Sequence, residues 1–185
     1  MRFILLLFTF LSLNYCEDKQ KSSQKIEKKK TSKKTKFKII QENDSVKLKK
    51  KSTKLNDKNA MDFFLEYEKK NKENTIIIST DFGDIEILLF EKTKFHRANF
   101  IFLTKQKYFN NTQFYRVINN FIIQGGNSDD KETAQKRRDI GRYLLPTDTK
   151  RGYTHNRGVL SMPSSDIDNP HKLASPYEFF IVQQQ

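Results

Sequence analysis

With 185 residues, the chain is long enough for one domain with a hydrophobic core, and no more than one is expected. Its formal net charge of +13 is unevenly placed, because residues 17–60 carry 16 lysines against 6 acidic residues while residues 61–185 carry 18 basic against 16 acidic residues. The lysines are not interleaved with aromatic residues for base stacking, so nucleic acid is not an expected partner.

The N-terminus has the features of an export signal. Residues 1–15, MRFILLLFTFLSLNY, combine one early arginine with an apolar run of about ten residues. This run is too short to span a membrane as a permanent helix. Residues 1–15 are therefore predicted to be a signal peptide outside the folded domain.

Cys16 is the only cysteine and directly follows that apolar run. A lone exported thiol cannot form an internal disulfide, so it is free, paired with another molecule, or the lipidated first residue of a lipoprotein. Leu13 suits lipoprotein processing, whereas the bulky Tyr15 does not. Lipidation of Cys16 is the prediction, and an ordinary cleaved signal with an incidental cysteine is the alternative.

The segment of residues 16–60 is rich in lysine and poor in apolar side chains. It cannot offset its ordering entropy by burial, so a disordered tether is predicted. Its charge would draw it to anionic membrane head groups or to cell-wall polymers. The alternative is a solvated spacer whose lysines reflect biased composition.

The predicted domain covers residues 61–185 and begins with three local patterns. Aromatic residues at helical spacing in residues 61–73 predict a short amphipathic helix. Residues 75–91, TIIISTDFGDIEILLFE, predict a β-hairpin with a tight turn at Gly83. Residues 93–109, TKFHRANFIFLTKQKYF, predict a helix with one packed face.

Residues 114–126, FYRVINNFIIQGG, predict a further strand that is interrupted at Asn119 and Asn120. Strict alternation places Phe121 and Gln124 on opposite faces. Both can join Arg116 at one site only if the strand bends or bulges. The arginine is unusual because apolar residues surround it on both sides.

The remainder is predicted to be less regular. Residues 127–154 are polar, so long surface loops are expected there, with only the stretch RYLLP packed. Two more short strands are predicted in NRGVLSMP and SPYEFFIVQQQ. The total of five or six strands and one or two helices indicates a mainly β, antiparallel fold, and a closed barrel would hide the short strand edges.

The histidines give no indication of a metal site. His96, His155 and His171 are isolated in the sequence, without a second ligand at metal spacing. His96 is interpreted as a surface or helix-capping residue. Neither a metal nor a cofactor is predicted.

The stretch of residues 75–126 resembles the cyclophilins, a family of peptidyl-prolyl cis-trans isomerases. The core motif of that family, F-[HY]-R-V-I-x-x-F-x-[IV]-Q-G-G, is matched by residues 114–126 at every fixed position. The stretches HNRGVLSM and NPHKLASPYEFFIV resemble the second active-site segment, particularly that of the exported bacterial branch. The resemblance thus extends over residues 70–182.

The resemblance implies a fold, an activity and a site. The fold is an eight-stranded antiparallel β-barrel with capping helices, and the activity is isomerisation of Xaa-Pro bonds. Arg116 would be the catalytic residue. The implied substrate-binding residues are Phe121, Ile122, Gln124, Phe180, Glu178 and Met162.

The chemistry explains why such a site uses an arginine. An Xaa-Pro bond crosses a barrier of about 18 to 20 kcal/mol because the double-bond character of the amide must be broken. When the bond twists, the prolyl nitrogen becomes pyramidal, and a guanidinium can donate to it a hydrogen bond that exists only in the twisted state. Arginine stays charged and offers several donors in a rigid fork.

The chain departs from the family pattern near the second segment. Glu178 stands where a glutamine is usual, and this carboxylate would either hold Arg116 away from substrate in an ion pair or pre-orient it. Pro163 and Ser164 stand where alanine and asparagine are commoner, which removes an amide that usually helps to grip the peptide backbone. Both changes lie in the expected peptide-binding groove, on the wall opposite Arg116.

The family continues for several dozen residues past the position that matches Gln185. The expectation is therefore an incomplete domain whose C-terminal strands are missing, because the sequence is truncated or because the protein is a degenerate member.

The expected function is an isomerase of Xaa-Pro bonds in exported proteins, acting in the bacterial cell envelope where slow proline isomerisation delays folding. The alternative is a catalytically weak or inactive cyclophilin-like module that binds peptides or acts as a chaperone. Proline-containing polypeptides are the expected partners, together with a lipid anchor and an anionic membrane surface.

Overall fold

A computed structural model describes residues 36–39, 54–164 and 168–184. The predicted signal peptide, Cys16 and most of the predicted tether lie outside these residues and stay predictions. The described strands are β1 (Lys36–Ile39), β2 (Leu55–Asn56), β3 (Thr75–Thr80), β4 (Gly83–Leu88), β5 (Arg116–Ile118), β6 (Ile122–Gly125), β7 (Gly141–Arg142), β8 (Leu160–Ser161) and β9 (Phe179–Val182). The described helices are α1 (Ala60–Lys70), α2 (Lys94–Lys105) and α3 (Lys131–Ile140), with a 3₁₀ turn at Thr149–Arg151.

The first sheet has the strand order β1-β3-β4 and contains the predicted hairpin. Ile76 and Ile78 alternate along β3 and are fully buried, as the period of two along a strand requires. Gly83 begins β4 after a tight turn and has a φ of +122°, a backbone conformation that glycine adopts without steric cost. The predicted hairpin is therefore confirmed.

The strand β1 lies within the predicted tether, so the structure differs from that prediction here. Phe37 is buried between the exposed Lys36 and Lys38, and its ring stacks on Phe109 with centroids 4.8 Å apart. Phe37 also stands opposite Ile78 in the register of β1 and β3. The alternation of lysine and apolar residues is a strand pattern, but the lysine-rich composition around it led to the expectation of disorder.

The helices α1 and α2 pack against each other, and both were predicted. Phe63 and Tyr67 of α1 surround Phe102 of α2, with ring centroids 5.1 Å and 5.4 Å from it. The centre of α2 is buried, including Phe100 and Leu103. None of the three described helices is both long and apolar enough to cross a membrane.

The prediction of loops over residues 127–154 is wrong for α3 (Lys131–Ile140), whereas the predicted packing of RYLLP is confirmed by the burial of Tyr143 and Leu145. The Asp130 side chain caps α3 by accepting a hydrogen bond from the backbone N–H of Glu132 at 3.1 Å. Thr133 is the buried residue of this helix, so α3 has almost no apolar face and gives no apolar periodicity. Asp130 before α3 and Gly141 after it were the signals that could have revealed the helix.

The third sheet has the strand order β5-β6-β9-β8 and carries the candidate site. The predicted interrupted strand is in fact two strands, since β5 and β6 form an antiparallel hairpin joined at residues 119–121. Asn120, with a φ of +55°, takes a left-handed turn conformation there. Within the described residues the strands form three separate sheets and do not close one hydrogen-bonded ring.

We expect Gly141→Ala to lower the free energy of unfolding by about 3 kcal/mol. Gly141 has a φ of +135°, and a Cβ there would lie 1.9 Å from the backbone oxygen of Leu55, in the parallel pair of β2 and β7. Gly152→Ala is the matched control, because its φ is +83° and no atom lies within 4 Å of the added Cβ; about 1 kcal/mol is expected there. Chemical denaturation followed by circular dichroism measures both, and equal losses would contradict the contact with Leu55.

Candidate active site

Four residues form one row across the third sheet. Arg116 of β5 pairs with Gln124 of β6, Gln124 pairs with Phe180 of β9, and Phe180 pairs with Ser161 of β8. Directly opposed residues of antiparallel strands project from the same face. The hairpin therefore brings Arg116, Gln124 and Phe180 together without the bulge that the sequence interpretation required.

The same face carries a small apolar group next to the row. Ile122 and Val182 pair with each other and are buried, yet they lie apart from the main core cluster. The opposite face of the sheet holds Phe179 and Ile181, which belong to that core. One face of the sheet thus stabilises the domain, and the other presents the arginine.

Arg116 is exposed, and its guanidinium is held by a neutral partner. Its Nη1 donates to Oε1 of Gln124 at 3.3 Å. Among the described residues, no carboxylate forms an ion pair with Arg116. The remaining N–H groups of the fork are thus left for another acceptor.

Gln124 is only 8% exposed and is hydrogen-bonded at both ends of its amide. Its Nε2 donates to the hydroxyl oxygen of Tyr115 at 2.6 Å, while its Oε1 faces the guanidinium of Arg116. Burial, followed by the charge and hydrogen bonding of Glu178, raises the pKa of Tyr115 to about 12. Because a guanidinium only donates, Arg116 holds Oε1 of Gln124 on its own side and leaves Nε2 to donate to the hydroxyl of Tyr115.

Glu178 does not pair with Arg116 among the described contacts, so neither direct effect expected of it is seen. Its Oε1 lies 3.9 Å from Nη2 of Arg137 and accepts a hydrogen bond from Nδ2 of Asn127 at 3.4 Å. Glu178 also raises the pKa of Tyr115, whose hydroxyl accepts from the amide of Gln124. Tyr115 is a residue that the sequence interpretation missed, because its contact with Gln124 depends on the hairpin register.

The other predicted site residues occupy different environments. Phe121 lies in the turn between β5 and β6 and is 47% exposed, which excludes simple core packing for its side chain. Its backbone oxygen accepts from the N–H of Gln183 at 2.7 Å, so the turn is tied to the end of β9. Phe180 is half-buried, whereas Met162 is buried within the main core cluster. Of these three side chains, Met162 is the one that the core holds.

A histidine that seemed isolated in the sequence lies beside Phe180. His155 shares a hydrogen bond between its Nε2 and Oγ of Ser161 at 3.2 Å, and its ring meets that of Phe180 edge-on with centroids 5.5 Å apart. All three residues, together with the buried Met162, line a cavity of about 960 Å³ that extends from this end of the row. His155 was missed because a contact across six residues of loop leaves no sequence pattern.

The sequence that forms this site also matches a known protein family. The family described as "Cyclophilin type peptidyl-prolyl cis-trans isomerase/CLD" matches residues 75–185, which is more than half of the chain. The chain belongs to this cyclophilin family. The match includes β3 and every element that follows it, and so contains the whole row from Arg116 to Ser161.

Several proteins named as peptidyl-prolyl cis-trans isomerases are similar to this chain. A peptidyl-prolyl cis-trans isomerase of Acinetobacter baylyi is 34% identical over 114 residues, which cover 58% of this chain and 54% of that protein. Peptidyl-prolyl cis-trans isomerase B of Escherichia coli is 32% identical over 109 residues, covering 57% and 60%. Peptidyl-prolyl cis-trans isomerase-like 2 of Rhizopus delemar is 36% identical over 104 residues, covering 55% and 19%. The chain spans less than two thirds of the length of each.

The described part of this cyclophilin contains no group of three or more His, Cys, Asp or Glu residues that could hold a metal ion. His96 lines the same cavity as His155, and its Nε2 lies 2.8 Å from the backbone oxygen of Pro146 and 3.4 Å from Oδ2 of Asp148. It is largely buried at this junction, so the interpretation as a surface residue is wrong.

We expect this cyclophilin to lose stability steeply above about pH 10, the ordinary pKa of tyrosine. Burial raises the pKa of five described tyrosines, Tyr67, Tyr108, Tyr115, Tyr143 and Tyr177. Because the folded pKa values exceed the unfolded ones, the unfolded chain releases protons first as pH rises. The stabilisation is complete below about pH 10 and is lost as pH rises through the folded values, about 12 for Tyr115.

Denaturation between pH 8 and pH 11, combined with the ultraviolet absorbance of tyrosinate, measures this loss. The chain has no tryptophan, so the tyrosinate signal is not masked. Tyr143→Phe should flatten the decline because it removes one of the titrating hydroxyls. A free energy of unfolding that stays constant over this range would contradict the shifted pKa values.

Proposed function

We propose that this chain is a peptidyl-prolyl cis-trans isomerase that acts on Xaa-Pro bonds. The observation that carries the proposal is the exposed guanidinium of Arg116, held by Gln124 in one row with Phe180. The names of the related proteins support the same reaction. We also propose that the three described sheets belong to the antiparallel barrel expected for the family.

The arrangement supports catalysis by a hydrogen bond that strengthens as the bond twists. Gln124 accepts from one N–H of Arg116, which fixes the guanidinium while leaving other donors of the fork available. A prolyl nitrogen gains a lone pair only when its amide is twisted, so the donation favours the transition state over both ground states. Phe180 and the exposed ring of Phe121 would provide apolar surface for the proline ring.

Exchange spectroscopy on a proline-containing peptide tests the proposal directly. The full chain should accelerate exchange between the cis and trans signals of the peptide at catalytic concentrations. NMR line positions of the peptide report binding in the same samples, so turnover and binding are measured separately. Absence of any acceleration at saturating peptide would contradict the proposed activity.

The second candidate is a module that binds proline peptides with little or no turnover. One observation favours it. Pro163 has no backbone N–H to offer a bound peptide, and its carbonyl oxygen already accepts from the N–H of Ser175 at 2.8 Å. Binding without accelerated exchange in the experiment above would support this candidate.

We further propose that the protein acts on exported polypeptides in the bacterial cell envelope. The apolar run of residues 1–15 and the position of Cys16 support export and lipid attachment. The 16 lysines among residues 17–60 support attraction to an anionic membrane surface. Intact mass spectrometry of the chain recovered from a bacterial membrane fraction tests the lipid, which Cys16→Ala should abolish.

A further inference from the structure

A second cavity, whose lining residues include none of the row that contains Arg116, is surrounded by positive charge. It has a volume of about 610 Å³, and its lining includes Lys54, Arg137, Arg138 and Arg142. None of the described residues that line it is a carboxylate. The folded region has nearly as many acidic as basic residues, so four cations around one cavity are a local concentration.

These cations are poorly neutralised by the protein. Lys54 and Arg142 form no ion pair within the described residues, and Arg138 donates to the neutral Oε1 of Gln135 at 2.6 Å. Arg137 lies 3.9 Å from Glu178, the upper end of the range for an ion pair, and its Nε is buried without an acceptor. Four like charges that share a cavity repel one another, so a bound anion would relieve a real electrostatic cost.

The backbone that carries the cations is held in place. Leu55 and Gly141 pair in the parallel ladder of β2 and β7, directly beside Lys54 and Arg142. The hydroxyl of Tyr177 donates to the backbone oxygen of Gly141 at 2.6 Å. The guanidinium carbon of Arg137 lies 4.9 Å from the centroid of the same tyrosine ring, which is the geometry of a cation–π contact. The backbone around the cavity is therefore fixed by strand pairing, and Arg137 is held by its contact with the ring of Tyr177.

We propose that this cavity binds a phosphate-type anion, either a phosphomonoester or a pyrophosphate group. Arginine forks match the tetrahedral oxygens of such groups by paired, charge-assisted hydrogen bonds. Arg138 and Arg142 have no ion-pair partner among the described residues, whereas Arg137 also donates to the hydroxyl of Tyr108 at 2.9 Å. The ligand is a soluble phosphate compound or the head group of a phospholipid, which share this chemistry. The test uses Lys54, Arg138 and Arg142, because none of these three residues contacts the row from Arg116 to Ser161.

Isothermal titration of the full chain with pyrophosphate tests the site. We expect saturable binding with one-to-one stoichiometry, and a dissociation constant at least about tenfold higher in the double variant Arg138→Gln and Arg142→Gln. The control variant Lys92→Gln and Lys107→Gln removes the same charge from exposed lysines outside the cavity, and should change the constant less than about twofold. Thermal unfolding of both variants verifies that they are folded, and Lys54→Gln gives an independent variant outside α3.

The outcomes separate the site from general charge attraction. Equal weakening in the cavity variant and the lysine control, or titration without saturation, would overturn the proposal. Displacement of pyrophosphate by phosphatidylcholine vesicles that contain phosphatidic acid, and not by phosphatidylcholine alone, would identify a lipid head group as the source. Saturable binding that both kinds of vesicle leave intact would identify a soluble phosphate compound.

Discussion

Replacement of Arg116 by alanine is expected to lower kcat/KM for Xaa-Pro isomerisation by about 10²- to 10³-fold, the usual effect of losing one hydrogen-bond donor aimed at a transition state. The loss should fall mainly on kcat, because the hydrogen bond to the prolyl nitrogen exists only in the twisted state. Peptide binding should change little, since the apolar surface of Phe121 and Phe180 is unaltered. Exchange spectroscopy gives both quantities from the same samples.

Two further variants make this test specific. Arg116→Lys keeps the charge but loses the fork that Gln124 holds, so its activity should lie between those of the wild type and Arg116→Ala. Arg138→Ala removes an exposed arginine from α3 and should retain the wild-type rate within about twofold. An Arg116→Ala protein that turns over as fast as the wild type would exclude Arg116 as the catalytic residue.

The second large effect is expected in the interface between α1 and α2, where Glu68→Gln should lower the free energy of unfolding by about 3 kcal/mol or more. Nη2 of Arg97 donates to Oε1 of Glu68, and the side chain of Arg97 is only 4% exposed. Removal of the carboxylate charge leaves a buried guanidinium without a counterion. The Nε of Arg97 already lacks an acceptor, so the local structure has no spare partner to offer among the described residues.

A second ion pair of Glu68, with the exposed Lys72, provides a control at the same carboxylate. Nζ of Lys72 donates to Oε1 of Glu68 at 2.7 Å, but the side chain of Lys72 is 61% exposed. Lys72→Gln should therefore cost no more than about 1 kcal/mol. The double variant Glu68→Leu with Arg97→Met removes both buried charges together and should regain most of the stability lost in Glu68→Gln. Equal costs for Glu68→Gln and Lys72→Gln in chemical denaturation would contradict a dominant buried pair.

Acid should reduce the difference between wild type and Glu68→Gln. The hydrogen bond from Lys72, followed by the charges of Lys72 and Arg97, holds the pKa of Glu68 below its ordinary value. A depressed pKa in the folded state contributes stability above the unfolded pKa of about 4.3 and loses it as pH falls through the folded value. The two denaturation curves should therefore converge in acid.

Local patterns were enough to predict much of the fold. The helices α1 and α2 follow from apolar spacing, and the hairpin of β3 and β4 follows from alternation around Gly83. Both patterns depend on residues close in the chain. The helix α3 escaped prediction because it is polar around most of its circumference, and β1 because four strand residues stand among lysines.

The candidate site, like the fold, could be predicted only in part. The motif of residues 114–126 is local, so the importance of Arg116, Phe121 and Gln124 could be predicted from it. The hairpin register that places Arg116 opposite Gln124 could not be predicted, because a single strand with a bulge is compatible with the same sequence. Met162 packs in the core and also lines the cavity beside the row, and its burial there depends on packing that its place in a site segment does not reveal.

Charge pairing depended entirely on how distant parts of the chain pack. The sequence places Glu178 in a predicted site segment, yet its ion-pair partner is Arg137, 41 positions earlier. Ion pairs act over a few ångströms between side-chain ends, and no periodicity in the chain encodes that distance. The amino-acid sequence thus identifies the family and the arginine that is proposed to act on the substrate. The tertiary structure determines which charged side chains are neutralised, and which cations around the second cavity are left for an anion.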